Sequence, residues 1–581
     1  MKNGRRTAIG LSLSALLVLL ALLLPTGWYD ALPRQPGLET MPVSGVVLLR
    51  LLLAVAAITT AAVVLSEWRW IPLPAGARIA AFRTWQLPDD LTRGRARGWL
   101  LAITLLALVL RVYRIDAELW IDELYSLSDY ALQPWSVIAG SYRTSNNHLL
   151  MSLLMKASIA LCGVSEWSVR LAAVSFGVAA IPALYRVARL AMSRWASLGA
   201  ALLLAVSYHH VFFSQNARGY IAYLFFALVS TRALLDALRD DRRRDWACYG
   251  IATVFSAMAL LNTVFVIAAQ LLIAVLVLYG VHRRSGESSA LLRRVVGVYA
   301  ATGFACAVVF AVPLPEAYLV ITSTYAKAGT GFAPNSMALV RDVARGVSDG
   351  FGTRGLIAAA PFLLLAAGGW IVLWRRQWAV ALAFTLPGVL TGIVLVTRGL
   401  TVSPRFFLLW LLLAVLTAAV TIEAFALRVA RLYRVPVATA VFGALALVSL
   451  LSLRRYYAVP KQPFVAAIEH VERVRRADDL VLAITPTTRG VRFYGERLHI
   501  PLASHYRFVG SVAALDSALA APGGGRAFVL TTLEYGSSLQ HPELFRRVRA
   551  GWQRDTTFPG TIGDGQISVW SPRDAMVPPL P

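Results

Sequence analysis

The chain has 581 residues, of which 57% are apolar or aromatic and only 15% are charged. Soluble globular domains usually carry about 25% charged residues, and the mean hydropathy here is +0.62. With apolar runs of about 20 residues along most of the chain, this composition excludes a soluble enzyme, a disordered protein and a disulfide scaffold, and it indicates a protein that crosses a membrane many times. The net charge of +25 does not point to nucleic acid, because the basic residues cluster in short loops between apolar runs.

Thirteen apolar segments are predicted to be membrane spans. They lie at 7–24, 43–65, 99–113, 166–185, 196–213, 219–237, 246–261, 263–281, 295–313, 356–374, 378–396, 406–424 and 435–452. The first is predicted to be a retained span, because its apolar stretch is longer than the roughly 7–15 residues of a signal-peptide h-region. The run 148–162 is short for a span and contains Lys156, so we predict an interfacial or re-entrant helix there.

The basic loops favour one orientation. With a cytoplasmic N-terminus, the basic segments fall inside, as the positive-inside rule requires. These inside segments are 1–6, 66–98, 186–195, 238–245, 282–294, 375–377 and 425–434. An odd number of spans then places the C-terminus outside. We therefore predict a multi-pass protein of the bacterial inner membrane whose C-terminal domain is periplasmic or extracellular.

The chain changes character after about residue 453, where apolar runs shorten and charged residues return. Segment 461–479 has apolar residues at helical spacing, and 479–485, 526–533 and 566–572 are typical of strands. We predict three parts: two accessory spans with a basic cytoplasmic loop at 1–98, a catalytic membrane core at 99–452 with an outer-face loop at 114–165, and a small soluble α/β domain at 453–581.

The predicted outer loop after the third span is rich in acidic residues. Asp122 and Glu123 are adjacent and flanked by Trp120 and Tyr125, which indicates partial burial. Acidic side chains at a membrane boundary are costly to desolvate and tend to mark function, and a desolvated carboxylate is a better general base. A solvated loop with helix-capping acids is the alternative.

Several polar residues follow at the same predicted face. Asn147 and His148 begin the short helix, where His148 could bind phosphate or a metal, or cap the helix. Arg218 lies between two spans and Arg405 at the outer mouth of a later one, and the two could converge on one phosphate. Ordinary snorkelling of both arginines is the alternative. Glu166 and Arg170 are spaced for a local i,i+4 ion pair.

These segments together resemble the GT-C superfamily of membrane glycosyltransferases, in particular the bacterial family similar to protein O-mannosyltransferases and the lipid A aminoarabinose transferase. The motifs that carry the resemblance are WIDELYS, NNHLLMSLLMKA, GVSEWSVRLAAVSFG, QNARGY and PRFFLLW, in that order between residues 99 and 424. Two positions depart from the family pattern. The sequence Asn-Asn-His stands where His/Lys-Pro-Pro is usual, and 261–263 stand where a His is often found.

The resemblance implies an all-α polytopic GT-C fold and a polyprenyl-phosphate-linked sugar donor, with inversion at the anomeric carbon. It implies Asp122, or its neighbour Glu123, as the catalytic base, and Arg218, Arg405, Tyr220 and Gln215 around the donor phosphate. His148, Asn147 and Tyr125 would contact the acceptor, the phosphate or a metal. No cofactor is certain, and a divalent metal held by Asp122 and His148 stays open.

The partners expected from this interpretation are the sugar donor, the lipid bilayer, and a lipid, glycan or protein acceptor, but no nucleic acid. Three alternatives remain. A polymerase or ligase would use a lipid-linked oligosaccharide as donor. A lipid or solute transporter would show inverted repeats and midplane charges, whereas here the ionisable residues crowd the outer boundary. A scaffold whose outer domain binds cell-wall polymer would not need Asp122.

Overall fold

The computed structural model describes residues 2–23, 25, 27–30, 32, 44–65, 91–285, 288–324, 336–337, 339–341, 344, 355–400, 403–520, 525–561 and 563–573. The predicted basic loop at 66–98 lies mostly outside these residues, as does most of a predicted turn at 522–525. The chain divides into two compact units. The helical unit consists of Met1–Tyr113, Tyr130–Ser158 and Leu171–Leu450, and the α/β unit of Arg114–Asp129, Ile159–Arg170 and Leu451–Pro581.

Helices dominate the described chain. The first eighteen are α1 Lys2–Leu23, α2 Gly27–Asp30, α3 Gly45–Leu65, α4 Arg93–Val112, α5 Ile121–Ser126, α6 Trp135–Gly140, α7 Leu149–Cys162, α8 Glu166–Ala188, α9 Arg194–Val206, α10 Tyr208–Ser214, α11 Tyr220–Asp240, α12 Arg243–Ala259, α13 Thr263–Ser285, α14 Ser289–Phe310, α15 Leu314–Thr324, α16 Gly355–Thr397, α17 Leu409–Ala426 and α18 Arg434–Ala458. A π-helical turn at Leu127–Ala131 and 3₁₀ turns at Pro404–Phe407 and Arg431–Tyr433 complete this part.

The predicted polytopic all-α class is confirmed, because the described residues of every predicted span are mostly helical. Among the described residues, eight helices are long and apolar enough to cross a membrane, or nine if the bent pair α9–α10 is one span. The predicted count of thirteen is therefore not confirmed. Part of the difference lies in α16, which is one apolar run interrupted by non-helical backbone at Gln377, between two predicted spans. The predicted short helix at 148–162 is α7, with 14 residues.

One predicted span, 196–213, is broken. Helix α9 ends at Val206, α10 begins at Tyr208, and the two axes differ by 59°. A break in an apolar environment leaves carbonyl groups that need other donors. The buried Arg111 donates from Nη1 to the carbonyl of Ala205 at 3.0 Å, and Ser449 Oγ donates to that of Val206 at 2.8 Å. The broken backbone is thus satisfied by side chains from α4 and α18.

Segments that the charge pattern assigns to one side of the membrane also meet in the helical unit. Buried Glu423, at the end of α17, accepts from the backbone nitrogen of Ser193 at 2.9 Å and forms an ion pair with Arg376. These residues lie in or beside 186–195, 375–377 and 425–434, which were predicted on the same side. The sidedness of these segments relative to the membrane stays a prediction.

The α/β unit carries a five-stranded sheet in the order β2-β1-β3-β5-β4. Its strands are β1 Leu480–Ile484, β2 Tyr506–Val509, β3 Ala527–Thr532, β4 Trp552–Phe558 and β5 Ile567–Pro572, and its helices are α19 Phe464–Val474, α20 Thr488–Arg497, α21 Leu502–His505, α22 Val512–Leu519, α23 Glu534–Gln540 and α24 Pro542–Gly551. The first three strands are parallel, and β5 is antiparallel to β3 and β4. The predicted small C-terminal α/β fold is confirmed, with β2 and β4 in addition to the three predicted strands.

Candidate active site

Three side chains in the helical unit surround the ring of Tyr220, the first residue of α11. The guanidinium carbon of Arg218 lies 5.2 Å from the ring centroid, that of Arg405 lies 5.9 Å from it, and the His148 ring centroid lies at 5.5 Å. Arg218 and Tyr220 are each only 2% exposed. The two arginines that were predicted to converge therefore lie against one ring, and we call these four residues the Tyr220 cluster.

The local backbone explains how the chain reaches this arrangement. Arg218 belongs to the short turn between α10 and α11, while Arg405 lies in a 3₁₀ turn with a proline in its first turn. At Gly219 a Cβ atom would overlap the carbonyl oxygen of Ala259 and come within 2.9 Å of His148 Nδ1. Only a glycine allows the three segments to approach so closely.

The hydrogen bonding of His148 defines its tautomer. Its Nδ1 lies 3.1 Å from the carbonyl oxygen of Ala259. Because a carbonyl can only accept, Nδ1 carries the proton and Nε2 of the neutral ring is an acceptor. Within the part of the chain that the structure describes, this buried Nε2 has no hydrogen-bond partner. Burial lowers the pKa of His148, and the nearby Arg218 and Arg405 lower it further.

Asn216 is a buried polar residue that the sequence reasoning missed. It is 1% exposed, and neither its amide oxygen nor its amide nitrogen has a partner among the described residues. Its backbone carbonyl accepts from the backbone nitrogen of Arg218 at 2.7 Å, so it adjoins the Tyr220 cluster. Buried polar groups are normally satisfied, and an unsatisfied amide here fits a ligand with polar atoms. Its place inside the QNAR segment was the only signal in the sequence.

Two other predicted contact residues have structural hydrogen bonds. Gln215 Nε2 donates to the carbonyls of Arg111 and Tyr113, both at 2.8 Å, at the end of α4. Asn147 Nδ2 donates to the carbonyls of Ile138 and Ser141 at 2.9 and 2.8 Å, and its Oδ1 accepts from a serine hydroxyl. Their predicted contacts with phosphate or acceptor stay predictions, and the bonds observed fix the loops around the cluster.

The charges of the Tyr220 cluster favour an anion. Two guanidinium groups beside a neutral imidazole provide donors suited to a phosphate, and their field is strong where water is excluded. The same field would repel a divalent cation at His148 Nε2. No group of three His, Cys, Asp or Glu residues with metal-binding geometry occurs within the described ranges. The donor set at His148 does not fit the divalent metal that was left open there.

Asp122 belongs to the α/β unit, where it is the second residue of α5 and half-buried. Its neighbour Glu123 is fully buried and forms a bidentate pair with Arg170, with Nε–Oε1 and Nη2–Oε2 distances of 2.9 and 2.7 Å. Lys461 Nζ lies 3.5 Å from Glu123 Oε2. Both oxygens of Glu123 are therefore engaged in ion pairs, and the assignment of Asp122 as the base stays a prediction.

The predicted local pair between Glu166 and Arg170 is wrong. Arg170 pairs with Glu123, whereas Glu166 pairs with Arg497 of α20. Arg170 also donates to the carbonyls of Ile115 and Glu118. The helical spacing of the two residues is favourable, but a buried guanidinium finds more acceptors in the acidic loop than one neighbouring carboxylate offers.

Tyr125 belongs to α5, and the guanidinium group of Arg489 lies over its ring. The guanidinium carbon of Arg489 is 4.5 Å from its ring centroid, and Arg489 also pairs with Asp129 at 2.6 Å. Burial raises the pKa of Tyr125. The predicted role of Tyr125 as an acceptor contact stays a prediction. Arg489, Lys461 and Arg170 were not predicted here, since nothing local in the sequence connects them to residues 118–129.

Comparisons with known proteins bear on the fold. A family model described as dolichyl-phosphate-mannose-protein mannosyltransferase matches residues 147–321, which include His148, Arg218 and Tyr220. The structure of ArnT from Cupriavidus metallidurans bound to undecaprenyl phosphate is similar over 83% of this chain and 99% of its own, with 13% identity and a TM-score of 0.50. The chain has the GT-C glycosyltransferase fold.

Other structures with this fold are also similar, at lower scores. The oligosaccharyltransferase AglB from Archaeoglobus fulgidus, in complex with an inhibitory peptide and a dolichol-phosphate, is 12% identical over 83% of this chain and 75% of its own, with a TM-score of 0.43. The S. cerevisiae protein O-mannosyltransferase complex bound to the sugar donor is 17% identical over 45% of this chain and 38% of its own, with a TM-score of 0.32. A comparison with curated proteins finds no match.

Proposed function

We propose that this protein transfers a sugar from a polyprenyl-phosphate-linked donor to a hydroxyl acceptor at the outer face of the membrane. The observation that carries the proposal is the convergence of Arg218, Arg405 and His148 on Tyr220, in a fold shared with a protein that binds undecaprenyl phosphate. The acceptor is a cell-envelope glycan, a lipid or a protein.

The Tyr220 cluster would hold the donor phosphate. Arg218 and Arg405 donate to the phosphate oxygens, and they offset the charge that develops as the sugar–phosphate bond breaks. His148 Nε2 accepts a hydrogen bond from a hydroxyl group of the bound sugar donor. A neutral imidazole can accept such a bond, whereas the two guanidinium groups can only donate. Asn216 supplies a further amide to the bound headgroup.

The reaction would be a single displacement with inversion. Asp122 removes the proton of the acceptor hydroxyl, and the acceptor oxygen forms a bond to the anomeric carbon. The bond from that carbon to the phosphate oxygen breaks at the same time, and its electron pair leaves with the polyprenyl phosphate. A base on the face of the sugar opposite to the leaving group is the arrangement of inverting glycosidases.

Binding of undecaprenyl phosphate tests the phosphate site directly. In nanodiscs, Arg218→Ala and Arg405→Ala should each weaken its binding by about 10–100-fold, the value of a hydrogen bond to a charged group. Arg244→Ala removes the same charge from a side chain that is 74% exposed, and it should bind like wild type. Unchanged affinity in both arginine variants would remove the cluster from the donor site.

The donor's size distinguishes transfer of a single sugar from polymerase or ligase activity. Purified protein would be supplied with a polyprenyl-phosphate monosaccharide and, separately, with a lipid-linked oligosaccharide, and products would be identified by mass spectrometry. We expect transfer from the monosaccharide donor and polyprenyl phosphate among the co-purified lipids. Transfer from the oligosaccharide alone would support the ligase alternative. Movement of the intact donor across the membrane, without bond cleavage, would support a transporter.

A further inference from the structure

The segment that carries Asp122 is bound by the sheet-bearing part of the α/β unit. We propose that this part is a positioning domain, in which Gln462 and Tyr494 hold the backbone of Ile121 and Leu119 and thereby fix the place of Asp122. The catalytic consequence rests on the function proposed above. The hydrogen bonds that hold this backbone involve only residues of the α/β unit, and their effect can be measured without an assay of sugar transfer.

Gln462 connects the segment to the sheet. Its Oε1 accepts from the backbone nitrogen of Ile121 at 2.6 Å, and its Nε2 donates to Thr532 Oγ1 at 2.9 Å. Gln462 is fully buried, and Thr532 is the last residue of β3. Both ends of the amide are therefore used, and the side chain orientation is fixed by its two partners.

The contact between Gln462 and Thr532 lies at the carboxyl end of strand β3. The carboxyl ends of the strands in an open parallel sheet are where α/β domains bind their ligands. Strand β3 pairs in parallel with β1, so Thr532 lies at that edge. Gln462 connects this edge to the backbone of Ile121. At this position the edge therefore binds a segment of the same chain.

Tyr494 provides a second anchor, two residues earlier. Its hydroxyl accepts from the backbone nitrogen of Leu119 at 2.6 Å, and Leu119 is fully buried. The ring of Tyr494 stacks on Phe464 with centroids 6.0 Å apart, which fixes the position of the hydroxyl. Without that hydroxyl the buried N–H of Leu119 would lose its acceptor, a costly state for a backbone donor.

In a third contact, the segment before Asp122 supplies the side chain and the sheet-bearing part supplies the backbone donor. Glu118 Oε2 accepts from the backbone nitrogen of Val465 at 2.8 Å, in the first turn of α19, where backbone donors lack helical partners. Three hydrogen bonds thus hold residues 118–121, immediately before Asp122 in α5. A catalytic group is effective when its supporting contacts restrict it to the productive geometry.

Two substitutions with matched controls test the proposal in the full-length protein in nanodiscs. Tyr494→Phe removes only the accepting hydroxyl, and Tyr535→Phe makes the same change at a side chain that is 66% exposed. Gln462→Leu removes the amide, and Gln553→Leu does so at an exposed position of β4. The readouts are amide hydrogen exchange of residues 118–121, affinity for undecaprenyl phosphate, and kcat for sugar transfer.

We expect amide exchange of residues 118–121 to be at least 10-fold faster in Tyr494→Phe and Gln462→Leu, with exchange in β1 and β3 unchanged. We expect kcat to fall about 10–100-fold while affinity for undecaprenyl phosphate stays within 2-fold. The control variants should match wild type. Unchanged exchange at 118–121, or faster exchange with an unchanged kcat, would overturn the proposal. If the wild-type protein transfers no sugar, the proposed function fails, whereas exchange still reports whether the segment is held.

Discussion

Arg170 and Glu123 form a bidentate ion pair that is shielded from solvent, with the arginine 1% and the glutamate 0% exposed. Two residues from separate segments of the chain thereby link the acidic loop to the start of α8. Burying two charges is costly, and the pair is stable only while each partner remains.

Removing one partner of this pair should destabilise the α/β unit. Glu123→Gln leaves Arg170 buried with less compensating charge, so we expect a loss of about 3–5 kcal/mol, seen as a lower thermal unfolding midpoint. Asp516→Asn is the matched control, because Asp516 pairs with Arg547 at a site where both side chains are about half exposed; its midpoint should change little. If both substitutions lowered the unfolding midpoint equally, the buried pair would contribute no more to stability than the exposed pair.

Asp122→Asn should abolish most of the catalysis while leaving donor binding intact. Asparagine is close to isosteric but cannot accept the acceptor's proton, so kcat should fall by about 10²–10⁴. Asp116→Asn makes the same change at an exposed position in the same loop and should keep wild-type kcat. The measurement is sugar transfer at saturating donor. Wild-type turnover in Asp122→Asn would exclude this residue as the base.

Gly219→Ala should disrupt the Tyr220 cluster. The added methyl group would overlap the carbonyl oxygen of Ala259, to which His148 is bound, so the turn carrying Arg218 must move. We expect affinity for undecaprenyl phosphate to fall by more than about 10-fold, since the two arginines would no longer meet one phosphate. Gly280→Ala in α13 meets no atom within 4 Å and should bind normally. Normal binding by Gly219→Ala would contradict the proposed donor site.

Stability should depend on pH through Glu118. Burial raises the pKa of Glu118 from 4.5 to about 7. The folded protein therefore keeps this proton between pH 4.5 and 7 while the unfolded chain has released it, so stability falls as pH rises through this window. Glu118→Gln should flatten this part of the profile of unfolding midpoint against pH. Glu543→Gln, at a side chain that is 78% exposed, should leave the profile unchanged. A wild-type slope in Glu118→Gln would mean that another group titrates.

Most of the membrane architecture could be predicted from the sequence, because apolar runs have few ways to satisfy their backbone in a bilayer. The break between α9 and α10 could not, since 196–213 is uniformly apolar and the donors that permit the break, Arg111 and Ser449, lie far away in the chain. In the α/β unit, β2 and β4 were missed. Strand β4 is largely exposed and polar, so it lacks the apolar alternation that marks a strand.

In the candidate site, too, some residues could be predicted from the sequence and others could not. Arg218, Arg405 and His148 could be predicted individually, because polar residues at the ends of apolar runs are conspicuous, and the structure brings them to one ring. The partners of the acidic loop could not be. Lys461 is 338 residues from Glu123, and a pairing at that separation leaves no local pattern. The i,i+4 rule assigned Arg170 to Glu166 because it considers one helix in isolation.

The anchoring of Leu119 by Tyr494 has a consequence for biosynthesis. The two residues are 375 positions apart, and a ribosome adds roughly 5–20 residues per second, so about 20–75 seconds pass between their syntheses. During that interval the segment before Asp122 lacks the acceptor that Tyr494 provides. Under the proposed function, a chain truncated before Tyr494 would lack this acceptor, and we expect it to transfer sugar more slowly than the untruncated protein.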